Sequence, residues 1–330
     1  MYDLKRVNYQ IKEDLESIIY SEKSDIETCS KETGVSKATI HEILKTNVTT
    51  KPVYEKIYSY AYKIGYRLNI VKEEFLKESG KTILFHGSKN GLDYINAHGS
   101  RINCDFGDGF YLGETYSSTV SFVCENENSC VYSFEIDLNG LKVLKYNCSL
   151  EWMLAICYFR GFLKRFKANE MIIEMLKKIN DADVIIAPIA DNRMFYIMSL
   201  FANGDINDNV ALHSLSASNL GNQFVIKTDK ALEKLKVIER YYICKEEKQY
   251  YIEQLNQRTD MIETKLKLAK REYKDGAYIE EILNEGIWYK WFEISWIPRK
   301  TIWVFIRLFG LFNKYFYKKV SSFQFVDRNR

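Results

Sequence analysis

Three short stretches of the sequence carry side chains that could hold and orient a polar ligand. A strand-like run, Thr82–Phe85, ends at His-Gly-Ser over residues 86–88, and further along residues 105–111 read Asp-Phe-Gly-Asp-Gly-Phe-Tyr. A third strand-like run begins at Gln223. Glycine admits close backbone approach, and a tyrosine ring can stack on a flat cationic ring. Each stretch alone is also explained by a turn or by a hairpin with a packed aromatic side chain.

Taken together, the three stretches resemble the His-Tyr-Glu class of ADP-ribosyltransferases, the diphtheria-toxin and poly(ADP-ribose) polymerase type. The closer likeness is to the bacterial DUF3990 family of that superfamily, and Asp183–Phe195 also looks like a signature of this family. The resemblance covers about residues 81–235 and extends over the helices that end near residue 286. It implies an α+β fold with a split β-sheet flanked by helices, not a doubly wound Rossmann fold.

The resemblance implies that NAD+ is the substrate, used without a metal ion, and that its bond from nicotinamide to ribose breaks through an oxocarbenium-like transition state. By the family pattern, His86 donates a hydrogen bond to a ribose hydroxyl of the adenosine half. The backbone of Gly87 reads the nicotinamide amide, because a side chain there would block close approach, and Ser88 holds the same amide.

The second stretch supplies the aromatic contacts of the implied site. Tyr111, a catalytic position of the family, stacks on the nicotinamide ring, and Gly109 lets the chain bend over it. The family places a second aromatic residue eleven positions later, across the ring, and this chain has Phe122 there. We therefore expect the nicotinamide to lie between two aromatic side chains.

The third catalytic position departs from the parent class, which has a glutamate where this chain has Gln223. An amide can orient a ribose hydroxyl, but it cannot act as a general base or place a full negative charge beside the oxocarbenium ion. We expect the missing carboxylate to come from Asp191, after the buried-looking strand Val184–Ala187, and Arg193 to bind an NAD+ phosphate or an acidic acceptor. A helix cap and a surface ion pair would explain both residues equally well. Glu114, after the tyrosine loop, is a further candidate for the vicinity of the site.

The predicted activity is transfer of ADP-ribose from NAD+ to a protein or nucleic acid, as in a toxin or a phage-defence effector. Two alternatives stay open. One is an NAD+ glycohydrolase that uses water as the acceptor, and the other is a transcriptional regulator that binds NAD+ without catalysis. Turnover of labelled NAD+ separates the three.

Residues 1–80 read as helices joined by short turns. Ser24 fits the N-cap of a capping box, and its helix should run to about residue 32. Gly34 is free to adopt a positive φ in the following turn. Ser36 then fits the N-cap of a second helix over residues 37–45. Two short helices joined by a glycine-containing turn are therefore predicted.

This arrangement resembles a helix-turn-helix of the Xre/Cro repressor type over Cys29–Ile40. The resemblance implies DNA as a partner and places the second helix in the major groove, with four residues facing DNA: Ser36, Lys37, Thr39 and His41. Residues 34–69 contain six Lys and Arg against two Glu, which suits phosphate contacts. The alternative is a helical bundle that serves only protein docking or dimerisation.

The remaining chain divides into residues 81–286, which include a charged pair of helices at 245–285, and a tail, 287–330. The tail holds nine Lys and Arg, two acidic residues and fourteen aromatic residues. Residues 1–286 contain 38 basic and 42 acidic side chains, so the net charge of +3 over all 330 residues arises in the tail. Its apolar run, Thr301–Asn313, is too short to span a bilayer. A membrane-surface segment, a partner-binding segment and an end without a role are the alternatives.

Composition also bounds the compartment. A content of 46% hydrophobic and 28% charged residues is typical of a folded protein and not of an intrinsically disordered one. The seven cysteines are odd in number and none forms a Cys-x-x-Cys pair, which favours free thiols in a reducing cytosol. The N-terminus is polar, so we predict no secretory signal and a cytoplasmic protein, or one held at the membrane surface by its tail.

Overall fold

The computed structural model describes Leu4 and residues 7–100, 103–190, 192–216 and 220–284. Within these residues the chain folds into thirteen α-helices and one seven-stranded β-sheet, which confirms the predicted α+β class. The described residues up to Leu283 form one compact unit. The predicted tail, 287–330, lies outside the described residues. Of the helices that are described, none is both long and apolar enough to cross a membrane.

Five helices form the N-terminal part of the chain: α1 (Ile11–Ile19), α2 (Ile26–Thr33), α3 (Lys37–Thr46), α4 (Lys51–Lys63) and α5 (Leu68–Glu78). The predicted pair of helices is confirmed in α2 and α3. Gly34 ends α2 with a φ of +64°, where a side chain would strain the backbone. Ser36 caps α3, its hydroxyl accepting a bond from the Thr39 N–H at 3.1 Å.

The predicted N-cap of α2 is wrong by one residue. Asp25 caps the helix, because its carboxylate accepts a hydrogen bond from the Thr28 N–H at 2.7 Å. The Ser24 hydroxyl lies 2.7 Å from the hydroxyl of Tyr60 on α4 and joins the two helices. Both side chains are able to cap a helix, and here Asp25 does so while Ser24 makes a tertiary contact.

The seven strands are β1 (Thr82–Ser88), β2 (Phe110–Gly113), β3 (Cys130–Ile136), β4 (Val143–Lys145), β5 (Val184–Pro188), β6 (Asn222–Ile226) and β7 (Leu235–Tyr242). They lie in the order β4-β5-β6-β2-β1-β3-β7, antiparallel except for β4 and β5. Seven Cα pairs join β1 to β3, but only Phe85 opposite Gly113 joins β1 to β2. The end of β1 and the start of β2 are therefore not paired with each other, although each pairs with its other neighbour, β3 or β6.

Eight further helices surround the sheet: α6 (Tyr116–Ser121), α7 (Leu150–Phe159), α8 (Glu170–Asp181), α9 (Asn192–Ala202), α10 (Asp208–Leu215), α11 (Asp229–Glu233), α12 (Lys245–Glu272) and α13 (Ile279–Asn284). The last two confirm the predicted helical pair. The largest apolar cluster contains residues of the four helices α7, α8, α9 and α10 and of the strands β5 and β6. In it, the buried Trp152 donates its indole N–H to the carbonyl of Pro188 at 3.1 Å, which holds the end of β5 in place.

The N-terminal helices share buried contacts with the sheet. Tyr242, on the outer strand β7, lies in the apolar cluster of α1 to α4, and its hydroxyl donates to Glu55 of α4 at 2.8 Å. Lys72 of α5 lies between two carboxylates, pairing with Asp14 of α1 at 2.8 Å and with Glu239 of β7. All three charged groups are largely buried. The helices and the sheet are thus held together by both apolar and ionic contacts.

Candidate active site

A cavity of about 560 Å³ opens where β1 and β2 are unpaired. Its walls come from the end of β1, the loop before β2, β2 itself, the end of α6 and the start of β6. Seven of the predicted site residues line it: His86, Gly87, Ser88, Gly109, Tyr111, Phe122 and Gln223. Three stretches that lie far apart in the sequence therefore share one cavity.

His86 is the side chain that bridges the unpaired strands. Its Nδ1 lies 2.7 Å from the backbone oxygen of Tyr111, and its ring stacks on Phe110 with 4.5 Å between centroids. A carbonyl oxygen only accepts, so Nδ1 carries the hydrogen. Burial lowers the pKa of His86, which keeps the ring neutral near pH 7. The remaining ring nitrogen, Nε2, is then a hydrogen-bond acceptor.

Tyr111 has its hydroxyl committed to the loop before β2. The hydroxyl donates to the carbonyl of Gly107 at 2.6 Å and accepts from the N–H of Phe106 at 3.1 Å. Burial raises the pKa of Tyr111 far above its ordinary value. The hydroxyl is therefore unsuited to proton transfer, and the ring is the part of this side chain that can act on a ligand.

Two glycines of the cavity wall allow close packing of the protein on itself. A Cβ at Gly109 would overlap the Cγ1 of Val225 on β6. A Cβ at Gly87 would lie 3.1 Å from the carbonyl oxygen of Thr119 on α6. These contacts explain both glycines without a ligand, and they fix the position of the two walls.

Ser88 and Phe122 differ in how far they are available to a ligand. The buried Ser88 donates its hydroxyl to the carbonyl of Gly91 at 2.6 Å, so its hydrogen is used inside the following loop. Phe122, directly after α6, is 54% exposed and lines the cavity. Its large exposed ring is free of the core and can pack on a ligand.

Gln223 belongs to a buried cluster with a carboxylate and a guanidinium. Its Nε2 donates to Asp105 Oδ2 at 2.9 Å and to the carbonyl of Pro188 at 3.2 Å. Asp105 Oδ1 accepts two bonds from Arg160, from Nε at 3.0 Å and from Nη2 at 2.6 Å. The guanidinium in turn lies over the ring of Phe195, 3.8 Å from its centroid. Asp105, Arg160 and Gln223 all line the cavity.

Asp105 and Arg160 were not predicted as site residues. Asp105 is 5% exposed, and burial raises its pKa while Arg160 and the hydrogen bond from Gln223 oppose that rise. The available signal was that Asp105 opens the same motif that ends in Tyr111. The cavity thus contains a carboxylate, but from the tyrosine motif and not from the position that the sequence indicated.

The other charged candidates fall elsewhere. Asp191 and the side chain of Arg193 lie outside the described residues, so their roles stay predictions. Glu114 does not line the cavity. Its Oε2 accepts bonds from the backbone and side-chain nitrogens of Asn222, both at 3.0 Å. It aligns β2 with β6 at the edge of the site. Within the described ranges, no group of three or more His, Cys, Asp or Glu is placed to hold a metal ion.

The predicted DNA-facing residues lie together at the start of α3. Ser36, Lys37 and His41 are exposed, and Thr39 is half-buried. The Ser36 and Thr39 hydroxyls are 2.8 Å apart, and Lys37 Nζ pairs with Glu27 Oε2 at 3.0 Å. The surface is available to a partner, and DNA binding by it stays a prediction.

The comparisons with known proteins agree with one part of the resemblance. Residues 82–237, just under half of the chain, match the family model described as protein of unknown function (DUF3990). These bounds are close to the 81–235 indicated by the motifs. No curated protein and no solved structure matches the chain significantly. The relation to ADP-ribosyltransferases and to Xre/Cro repressors therefore stays a prediction.

Proposed function

We propose that the region matching DUF3990 is an NAD+-dependent ADP-ribosyltransferase that modifies a protein or nucleic acid, as a toxin or phage-defence effector would. The observation that carries the proposal is the convergence of His86, Tyr111 and Gln223 on one cavity. The cavity volume, about 560 Å³, falls in the usual range of roughly 300–1,000 Å³ for small-molecule and cofactor sites.

The aromatic residues of the cavity support the binding of a planar ring by stacking. Because the hydroxyl of Tyr111 is hydrogen-bonded to Gly107, the ring is the part of this side chain that can bind a ligand. The exposed ring of Phe122 lines the same cavity. A cationic nicotinamide would gain from both stacking and cation–π attraction.

His86 supports a contact to a hydroxyl-rich ligand, but in the opposite direction from the one that the resemblance implies. Because Nδ1 donates to the Tyr111 carbonyl and the ring is neutral, Nε2 has a lone pair and no hydrogen. We therefore propose that a ribose hydroxyl donates to His86.

In the proposed reaction the bond between ribose C1′ and the nicotinamide nitrogen breaks. Its electron pair leaves with nicotinamide, which becomes neutral, and positive charge develops on the ribose. A nucleophile of the acceptor then bonds C1′ and releases its proton. The site must stabilise the developing positive charge, and acceptor atoms at the ribose are the groups that can do so.

Labelled NAD+ tests the proposal with the full chain. Label on macromolecules would support transfer, and free ADP-ribose with released nicotinamide would favour the glycohydrolase. We expect Tyr111→Ala to lower turnover by about 100-fold, because the stacking surface is lost. Tyr20→Ala, at an exposed tyrosine far from the cavity in sequence, is the matched control. If the native chain binds NAD+ without turnover, and Tyr111→Ala binds it equally well, the proposal that the chain is an enzyme is wrong.

For the N-terminal helices we propose binding to the DNA upstream of the chain's own coding sequence, which would allow autoregulation. The exposed, clustered start of α3 supports this. His41→Ala and Lys37→Ala should weaken binding in a mobility-shift assay about tenfold each, and Lys37→Ala should also reduce its salt dependence. Lys236→Ala, an exposed lysine on β7, is the control. Equal affinity of all variants, or of unrelated DNA, would favour a docking module instead.

A further inference from the structure

We propose that Asp105 is a positioning residue that makes the amide of Gln223 a fixed hydrogen-bond acceptor in the cavity and supplies the negative charge behind it. The catalytic consequence of this inference rests on the proposed function. The structural half, the orientation of the amide by a buried carboxylate, stands on the cluster alone.

The orientation of the Gln223 amide follows from its neighbours. Asp105 Oδ2 and the carbonyl oxygen of Pro188 are both acceptors, at 2.9 and 3.2 Å from Nε2. An amide nitrogen has two hydrogens, so both are used. A flipped amide would place Oε1 against two acceptors. No donor among the described residues bonds to Oε1, and Gln223 lines the cavity, so this oxygen is the atom left for a ligand hydroxyl.

Asp105 is itself held rigidly. Its other oxygen, Oδ1, accepts two bonds from Arg160, and the guanidinium packs on Phe195. Two-point pairing of this kind fixes the direction of a carboxylate as well as its charge. The carboxylate is 5% exposed, so solvent screens it little. Asp105 can therefore hold Gln223 in only one arrangement.

The charge of Asp105 acts through the amide. A carboxylate that accepts a hydrogen bond from Nε2 polarises the amide and makes Oε1 a stronger acceptor, because hydrogen bonds in a chain strengthen one another. A ribose hydroxyl that donates to Oε1 would feel this effect most when the sugar becomes positive. The pair Asp105 and Gln223 would then do in two residues what a single glutamate does in the parent class.

This arrangement predicts an unexpected result for Gln223→Glu. The new carboxyl group would face Asp105 at hydrogen-bond distance, and two adjacent carboxylates share a proton because like charges resist ionising together. While the pair holds one proton, it can imitate the native pair. When the proton leaves at higher pH, the two charges repel and the site is disrupted. The variant should therefore fail with rising pH instead of gaining activity at all pH values.

The reciprocal exchange should repair the site. In the double variant Asp105→Asn/Gln223→Glu, the amide oxygen introduced at position 105 can accept from Arg160, and its nitrogen can donate to the new carboxylate at position 223. The total charge is the same as in the native cluster. This exchange is specific to a direct contact, because two independent structural roles would give additive losses.

The experiment measures labelled NAD+ turnover and the unfolding free energy from about pH 5.5 to about pH 9 for the native chain, the two single variants and the double variant. We expect Asp105→Asn to lower kcat by about 100-fold with a KM change below about threefold. Gln223→Glu should lose at least about tenfold in turnover, and stability too, as pH rises through the range. The double variant should lose this pH dependence and recover most of the turnover. Asp108→Asn, at an exposed aspartate of the same loop, should match the native chain.

Two results separate this inference from the proposed function. If the native chain turns over NAD+ but Asp105→Asn is fully active and Gln223→Glu keeps the native pH profile, the inference is wrong and the function stands. If the native chain does not turn over NAD+, the function is wrong and the stability profiles decide the inference. A pH-dependent loss of stability in Gln223→Glu that the exchange removes would support it, and its absence would overturn it.

Discussion

The imidazole of His86 is bonded to the backbone carbonyl of Tyr111 at 2.7 Å, across the point at which β1 and β2 stop pairing. The His86 side chain thus makes a hydrogen bond between β1 and β2 where the backbones of the two strands make none. The bond satisfies the carbonyl of Tyr111 and sets which ring nitrogen carries the hydrogen, and the cavity opens beside it. Structure and predicted chemistry therefore depend on the same imidazole.

We expect His86→Phe to lower the unfolding free energy by about 1–3 kcal/mol, because the ring can still pack on Phe110 but the carbonyl of Tyr111 loses its donor. Turnover should fall as well. His98→Phe, at an exposed histidine, should change neither. Unfolding in urea and a turnover assay measure the two effects.

The same variant should change the pH dependence of stability. Burial lowers the pKa of His86, so below its ordinary value of about 6.5 the unfolded chain binds a proton that the folded chain does not. His86 should therefore contribute a loss of stability as pH falls below about 6.5, and His86→Phe should lack this contribution over that interval. Parallel profiles for the two chains would contradict a buried neutral imidazole.

Gly109→Ala should destabilise the fold by about 1–3 kcal/mol, because the new methyl group would overlap Val225 Cγ1. The second change Val225→Ala removes the overlapping atom and should recover part of the loss in the double variant. Thermal unfolding of the three variants checks this. If the two changes add without recovery, the two positions are not in direct contact and the packing explanation is wrong.

Glu247 on α12 is a buried acid that contacts two polar side chains. It accepts from Asn69 Nδ2 at 3.1 Å and from the hydroxyl of Tyr116 on α6. Burial raises the pKa of Glu247 from 4.5 to about 7. As pH rises from 4.5 to about 7, the unfolded chain releases this proton before the folded chain does, so Glu247 contributes a loss of stability over this interval.

We therefore expect Glu247→Gln to be the more stable chain above pH 7, by up to about 3 kcal/mol, and to lack this part of the pH dependence. Its new amide nitrogen can also pair with Asn69 Oδ1, which is buried without a partner in the native chain. Glu253→Gln, at an exposed position of the same helix, is the control. Equal slopes of stability against pH in both variants would show that Glu247 is solvated.

Local patterns were enough to predict the elements that frame the site, but not the contacts within it. The helix after Ser36 and the strands that carry His86 and Gln223 follow from capping residues and apolar runs. The link between Asp105 and Gln223 joins positions 118 residues apart, and periodicity carries no information on such pairs. The choice of Asp191 as the carboxylate source followed from strand position alone, and nothing local pointed to the end of α7, where Arg160 lies.

The ion pairs of Lys72 with Asp14 and Glu239 determine how the chain responds to proteolytic cleavage. A protease that cuts the turn between α5 and β1 and frees the first five helices would leave Glu239 without its cation and Tyr242 without its apolar cover. We expect the remaining fragment to unfold and to be degraded. Neither the helices nor the sheet could then persist as a folded part without the other, so a single cut would remove the whole unit.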